Sequence, residues 1–153
     1  MKSKALKILC LSFLTIAILS CGKKSEKKEI TKNQPKNILF IAVDDLKPLM
    51  GAYGNKDVST PNIDKLAANG FVMQNNHCQQ AVCGPSRASI LTGKRPDFTQ
   101  IWDLKTQIRD KNPNIVTMPQ YFKQNGYETA AVGKIFDFRS VDKGNDSISW
   151  TYP

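Results

Sequence analysis

A cysteine and an arginine bracket a short motif, Cys83-Gly-Pro-Ser-Arg87, in which Gly-Pro predicts the opening of a helix. The first turn of a helix presents unpaired amides and the positive end of the dipole, which favour an anion. A thiol at that position ionises more easily. Arg87 lies one turn after Cys83 on the same face, where its planar fork can hold an anionic group. The spacing therefore indicates an anion-binding site around a reactive thiol.

Two adjacent acids, Asp44 and Asp45, follow the continuous apolar run 37–43. Such a run predicts a strand buried on both faces of a parallel sheet. The acids would then stand at its C-terminal end, where open α/β sheets bind ligands. Carboxylates are hard ligands that suit calcium or magnesium. Taken alone, an Asp-Asp pair is as often a turn or a helix cap.

Together with Leu-Thr-Gly at 91–93, the cysteine motif resembles the signature of the type I sulfatases. The resemblance implies that a formylglycine-generating enzyme oxidises Cys83 to formylglycine, guided by Pro85 and Arg87. The hydrated aldehyde has two hydroxyls, of which one can attack the sulfur of a sulfate ester. The second then collapses to regenerate the aldehyde and expel sulfate. A sulfuric ester hydrolase is the expected activity.

The same resemblance implies the roles of further residues. Asp44 and Asp45 match the family's first metal ligands, and the modified Cys83 oxygen is a further one, with Ca²⁺ or Mg²⁺ as the ion. Arg87 and Lys134 are implied to act in catalysis, Lys134 by contacting sulfate. The family's remaining metal ligands fall beyond Pro153, so the chain is expected to be an N-terminal fragment that is inactive or poorly folded alone.

Several segments resemble iduronate-2-sulfatase-like enzymes in particular. They include 43–48, 51–54, 61–64, 79–83, 119–122 and 132–134. The resemblance implies sulfated polysaccharides or oligosaccharides as substrates, either glycosaminoglycans or algal glycans. One departure is visible, since Asp137 occupies the position where this subgroup usually has His. That exchange puts substrate choice or activity in question.

The elements that must position these residues alternate as in an α/β protein. Thr60-Pro61 predicts the start of a helix that ends at Gly70, and Thr117 with Gln120 predicts a capping box. Short strands are predicted over 71–73 and 127–132, whereas 97–114 reads as a loop with at most one helical turn. In the helix that Gly84-Pro85 opens after Cys83, Ile90 and Leu91 are predicted to be buried and Gly93 to end it. The family implies an alkaline-phosphatase-like sulfatase sandwich with a mostly parallel central sheet, of which this chain is a part.

The first 36 residues have the composition of a targeting segment and not of a fold. Lysines precede the twelve-residue apolar run Ile8–Leu19, which is shorter than the roughly 20 residues of a membrane span. Ile-Leu-Ser-Cys-Gly at 18–22 resembles a bacterial lipobox, which implies lipidation of Cys21 and an anchor in the bacterial membrane. The alternative is a soluble secreted protein. We predict a signal peptide over 1–21, a charged tether over 22–36, the catalytic part over 37–153, and a periplasmic or cell-surface lipoprotein.

The net charge of +9 does not indicate a nucleic-acid partner. Residues 1–36 carry nine Lys and two Glu, which leaves only +2 for the part that can fold. The basic balance belongs to the leader and the tether.

Cys78 and His77 are close enough to Cys83 in sequence for a disulfide or a metal cluster to be considered. Either would consume the thiol that must be oxidised, so Cys78 is predicted to be a small buried residue and His77 a structural one. Two other functions remain open at this point. One is a phosphatase or phosphonate hydrolase of the same superfamily, and the other is an inactive, lipid-anchored protein that binds sulfated glycans.

Overall fold

The computed structural model describes residues 35–142 and 145–152, and the chain divides into two units, 1–39 and 40–153. In the first unit, residues 35–39 are exposed and have no regular secondary structure. The predicted signal peptide, Cys21 and nearly all of the tether lie outside the described residues. None of the helices within the described ranges is both long and apolar enough to cross a bilayer.

Helices and loops build the second unit. Over the described residues, the α-helices are α1 (Pro61–Ala68), α2 (Cys83–Thr92), α3 (Pro96–Thr99), α4 (Ile108–Lys111) and α5 (Met118–Gln124), with 3₁₀ turns at Gly51–Tyr53 and Ser147–Ser149. The predictions of α1, α2 and α5 are confirmed. Helix α1 ends at a C-cap Asn69, one residue before the predicted Gly70.

Helix α2 begins at Cys83, one residue before the predicted opening at Gly84-Pro85, and its C-cap is the predicted Gly93, whose φ of 65° lets its N–H donate to the Ser89 carbonyl. Leu91 is 1% exposed and packs in the core. The prediction for Ile90 is wrong, because this side chain is 55% exposed. Successive helical residues are rotated by about 100°. The core-facing stripe of α2 passes through Ala88 and Leu91 and leaves Ile90 outside it.

The capping box at the start of α5 is confirmed. The Thr117 hydroxyl accepts from the Gln120 amide at 3.3 Å, and the Gln120 side chain accepts from the Thr117 amide at 3.4 Å. Thr117 is fully buried, and its hydroxyl also lies 2.5 Å from the Ser149 hydroxyl. The cap therefore joins α5 to the C-terminal turn.

Replacing Thr117 by Ala is expected to lower the free energy of unfolding of the intact protein by about 1–2 kcal/mol, since the change removes a cap and one of the two hydrogen-bond partners of the buried Ser149 hydroxyl. The midpoint of urea unfolding measures the change. Thr117→Ser retains the hydroxyl and is the matched control. An equal loss in both variants would show that the methyl group, and not the cap, stabilises the helix.

The strands predicted over 37–43, 71–73 and 127–132 are not formed in the described residues, where the sole pairing is one parallel bridge between Ala130 and Tyr152. A strand satisfies its backbone groups only through neighbours about 4.8 Å away. Among residues 35–142 and 145–152 no such ladder lies beside 38–43, and apolar side chains there are exposed, Leu39 by 85% and Ile41 by 70%. The central parallel sheet therefore stays a prediction.

The core lies between α2 and the loops that follow it. It consists of Ala88, Leu91, Ile101, Ile108, Phe136, Val141 and Trp150. The segment 97–114 was expected to be a loop with one helical turn, but it contains all of α4 and most of α3, and it buries Ile101 and Ile108 completely. Ile101 lies in an irregular stretch and Ile108 begins a helix of only four residues, so neither belongs to a run long enough to show a hydrophobic period. The core anchors α2 and with it the position of Cys83.

Candidate active site

A cleft of about 860 Å³ runs along the start of α2. It is lined by the turn that carries Asp44 and Asp45 and by the first two turns of the helix, including Cys83 and Arg87. Cys83 is half-buried and free. The cleft thus gathers four residues that the sequence analysis singled out.

Asp44, Asp45 and Cys83 form a compact group of potential ligands. One ligand atom from each lies within 4.8 Å of the others. Adjacent side chains of a regular strand point to opposite faces. Here Asp45 has a φ of 52°, a left-handed conformation that Asp tolerates better than most residues, and the turn brings both carboxylates to one side.

This donor set fits a hard divalent cation. Two oxygens bonded to one Ca²⁺ at about 2.3–2.6 Å are at most about 5 Å apart, a limit that the observed spacing respects. Two carboxylates without a nearby imidazole favour Ca²⁺ or Mg²⁺ over zinc. Asp44 and Asp45 are both exposed to the cleft, so an ion can reach them.

Arg87 is 8% exposed, and both terminal nitrogens of its guanidinium donate hydrogen bonds. Nη2 donates to Asp44 Oδ1 at 3.0 Å, while Nη1 donates to the carbonyls of Lys134 and Ile135, the latter at 2.9 Å. The anionic group that Arg87 holds in the structure is the carboxylate of Asp44. Arg87 thereby connects the cleft to the turn at 133–136.

Lys134 also binds Asp44, with Nζ donating to Oδ2 at 2.6 Å. The hydrogen bonds from Lys134 and Arg87 hold the pKa of Asp44 below its ordinary value. Reciprocally, the bond to Asp44 raises the pKa of Lys134, with further contributions from Cys83 and Asp137. Asp44 is therefore kept ionised by two cations, and each of its oxygens retains a lone pair for a metal ion.

The sequence analysis noted Asp137 only as a departure and missed Arg139 altogether. Asp137 is 1% exposed and accepts from Arg139 Nε at 2.9 Å and Nη2 at 2.8 Å. These bonds lower the pKa of Asp137 to about 2. The pKa of Arg139 is raised by Asp137 first and by Cys83 as well, so the guanidinium lies beside the thiol. In the sequence, the Asp-x-Arg spacing after Lys134 could have indicated this ion pair.

The neighbourhood of Cys78 differs from the prediction. Cys78 is exposed and free, not buried, because it lies on an irregular segment outside the core. His77 is exposed too. Within the described residues Cys83 gathers with the two acids and forms no disulfide with Cys78.

Residues 36–144 match the family model described as Sulfatase, which is well over half of the chain. The chain belongs to the sulfatase family. Iduronate 2-sulfatase of Homo sapiens is 46% identical over 142 residues, which cover 92% of this chain and 26% of the relative. The Mus musculus enzyme of the same name is 50% identical over 119 residues, covering 76% and 22%. A sulfatase of Formosa agariphila is 43% identical over 131 residues, covering 80% and 26%.

The resemblance to sulfatases is thus confirmed, and the relationship to iduronate 2-sulfatase with it. This sulfatase chain spans about a quarter of the length of the curated relatives that it matches. The family implies an alkaline-phosphatase-like α/β fold. Its members generally use a formylglycine and a divalent metal ion, in agreement with the donor set around Cys83.

Proposed function

We propose that the protein to which this chain belongs is a sulfuric ester hydrolase, which removes sulfate from sulfated glycans through a formylglycine made from Cys83. The observation that carries the proposal is the meeting of Asp44, Asp45 and Cys83 within 4.8 Å in a chain of the sulfatase family. A divalent cation held there, Ca²⁺ or Mg²⁺, would neutralise charge that develops on the sulfate group.

Cys83, Arg87 and Lys134 each have a task in this proposal. The sulfur of Cys83 stands where the formylglycine hydroxyl would lie, at the start of α2, whose amides favour negative charge. Arg87 and Lys134 fix both oxygens of Asp44 and so orient this ligand before any substrate arrives. Lys134 also presents a permanent positive charge to a sulfate bound at Cys83.

The substrate class follows from the relatives. Two of them are named iduronate 2-sulfatase, so sulfated uronic acids within a polysaccharide or oligosaccharide are the proposed substrates. Sulfated polysaccharides are met outside the cytoplasm. This agrees with the predicted signal peptide, the predicted lipidation of Cys21 and a predicted periplasmic or cell-surface location. The proposal requires a formylglycine-generating enzyme in the same cell.

Protein matured in its native host is expected to carry an aldehyde at position 83. The conversion replaces one sulfur and two hydrogens by one oxygen, and tandem mass spectrometry of the tryptic peptide 66–87 measures the resulting loss of mass. No Lys or Arg lies between 65 and 87, so the same peptide contains Cys78. This second thiol is the internal control and should remain alkylatable, because it is exposed and lacks the Pro and Arg of the motif.

An unmodified thiol at Cys83 in such material would contradict the proposal. Release of phosphate, and not of sulfate, from ester substrates by the full-length protein would favour the phosphatase alternative. Binding of sulfated oligosaccharides without turnover would favour the glycan-binding alternative.

A further inference from the structure

A tight turn at 137–140 is fixed against the start of α2. The Ser140 amide and hydroxyl donate to the Asp137 carbonyl at 3.0 and 3.1 Å, and the Gln107 side chain donates to the Arg139 carbonyl at 2.7 Å. A Cβ on Gly84 would lie 3.6 Å from the Ser140 hydroxyl. The residue after Cys83 and the residue after Arg139 are therefore in near contact. Hydrogen bonds fix the backbone of this turn.

Within the turn, Asp137 holds the guanidinium of Arg139 in one orientation. The carboxylate is buried and binds the Nε and Nη2 edge of the fork in a bidentate manner. Because Asp137 uses that edge, the N–H groups of Nη1 point away from it. The Arg139 side chain is 40% exposed, so these donors are open to a ligand.

Arg87, Lys134 and Arg139 lie near Cys83. They differ in how many of their hydrogen-bond donors are already used by protein acceptors. Arg87 is buried, with its fork divided between Asp44 and two carbonyls. Lys134 is bonded to Asp44 at 2.6 Å and lies 3.7 Å from Asp137. Within the part of the chain that the structure describes, Nη1 of Arg139 has no oxygen acceptor, whereas Nη1 of Arg87 donates to two carbonyls.

We infer that Arg139 binds the anionic sulfate group of the substrate beside Cys83, and that Asp137 acts as the residue that positions Arg139. A guanidinium donates two parallel hydrogen bonds to a tetrahedral oxyanion, which a single ammonium cannot do. A fork already held by a buried carboxylate loses little rotational freedom when the anion binds. The inference rests on the proposed function for the identity of the anion.

The test is calorimetric titration of the full-length, metal-loaded protein with inorganic sulfate. Arg139→Gln is expected to raise the Kd for sulfate by about tenfold to a hundredfold, the range for a charged hydrogen-bonding group. Arg139→Lys should recover part of the affinity. Arg95→Gln is the matched control, since Arg95 is exposed and lies outside the cleft, and it should leave the Kd unchanged.

Asp137→Asn separates positioning from folding. It should weaken sulfate binding less than Arg139→Gln does, because the guanidinium of Arg139 remains but is no longer held in one orientation. If Arg139→Gln alone fails to fold, the double change Asp137→Asn with Arg139→Gln removes both charges together, and the same rise in Kd is expected. An unchanged Kd in whichever of these Arg139→Gln proteins folds would overturn the inference and leave Arg139 as a mere counter-ion of Asp137.

The readout also separates this inference from the proposed function. If the wild-type protein hydrolyses no sulfate ester, the proposed function fails. The effect of Arg139→Gln on the Kd for sulfate still tests the inference independently. If turnover is normal and Arg139→Gln leaves both KM and the Kd for sulfate unchanged, only the inference fails.

Discussion

Replacing Cys83 by Ala is expected to reduce kcat/KM of the full-length protein for a sulfated oligosaccharide by at least about a thousandfold. Removing the nucleophile of a covalent mechanism leaves only binding and electrostatic stabilisation, which support a small remainder of the rate. Cys83 is half-buried at the first position of α2, and Ala suits a helix, so stability should change little. Sulfate release measured by ion chromatography gives the rate, and the urea midpoint checks the fold.

The second free cysteine of the described residues provides the control. Cys78→Ala removes an exposed thiol that also borders the cleft but is not part of the ligand group, and it should leave the rate within about twofold of wild type. Equal losses in both variants would mean that thiol content, and not the residue at 83, governs activity. Full activity of the Cys83→Ala protein would refute the nucleophile assignment.

Replacing Asp44 by Asn is expected to remove the bound divalent ion and to lower kcat/KM at least about a hundredfold. The change removes a negatively charged ligand, and it also leaves Arg87 and Lys134 without the carboxylate that both of them bind. Two cations would then face an incoming divalent ion without compensation. Metal content after dialysis, measured by inductively coupled plasma mass spectrometry, reports ion loss, and sulfate release reports activity.

Asp57→Asn is the matched control, because Asp57 is an exposed acid outside the cleft. It should retain both the ion and the rate. Unchanged metal content in Asp44→Asn, with activity reduced, would assign Asp44 to the orientation of Arg87 and Lys134 alone. Unchanged metal content and activity together would exclude Asp44 from the site.

Local features of this chain were predictable because the contacts that create them are local. The capping box of Thr117 and Gln120 joins residues three apart, and the stop at Gly93 depends on one backbone angle. Other expectations depend on distant partners and were not confirmed. The run 37–43 has the composition of a buried strand, yet in the described residues no neighbouring strand pairs with it. Cys78 was predicted to be buried and is exposed, since its burial also depends on what packs over it.

The amino-acid sequence by itself determined which residue types carry the chemistry. A thiol and an arginine one helical turn apart at the start of α2, and two consecutive acids, are properties of short segments. Only the tertiary structure decided which of these groups meet. Lys134 reaches Asp44 across 90 residues of chain, and Arg87 reaches it across 43. Such pairings depend on the path of the whole chain. Many donors could form a hydrogen bond of similar free energy with a given acceptor, so the fold decides which distant donor comes within about 3 Å of it.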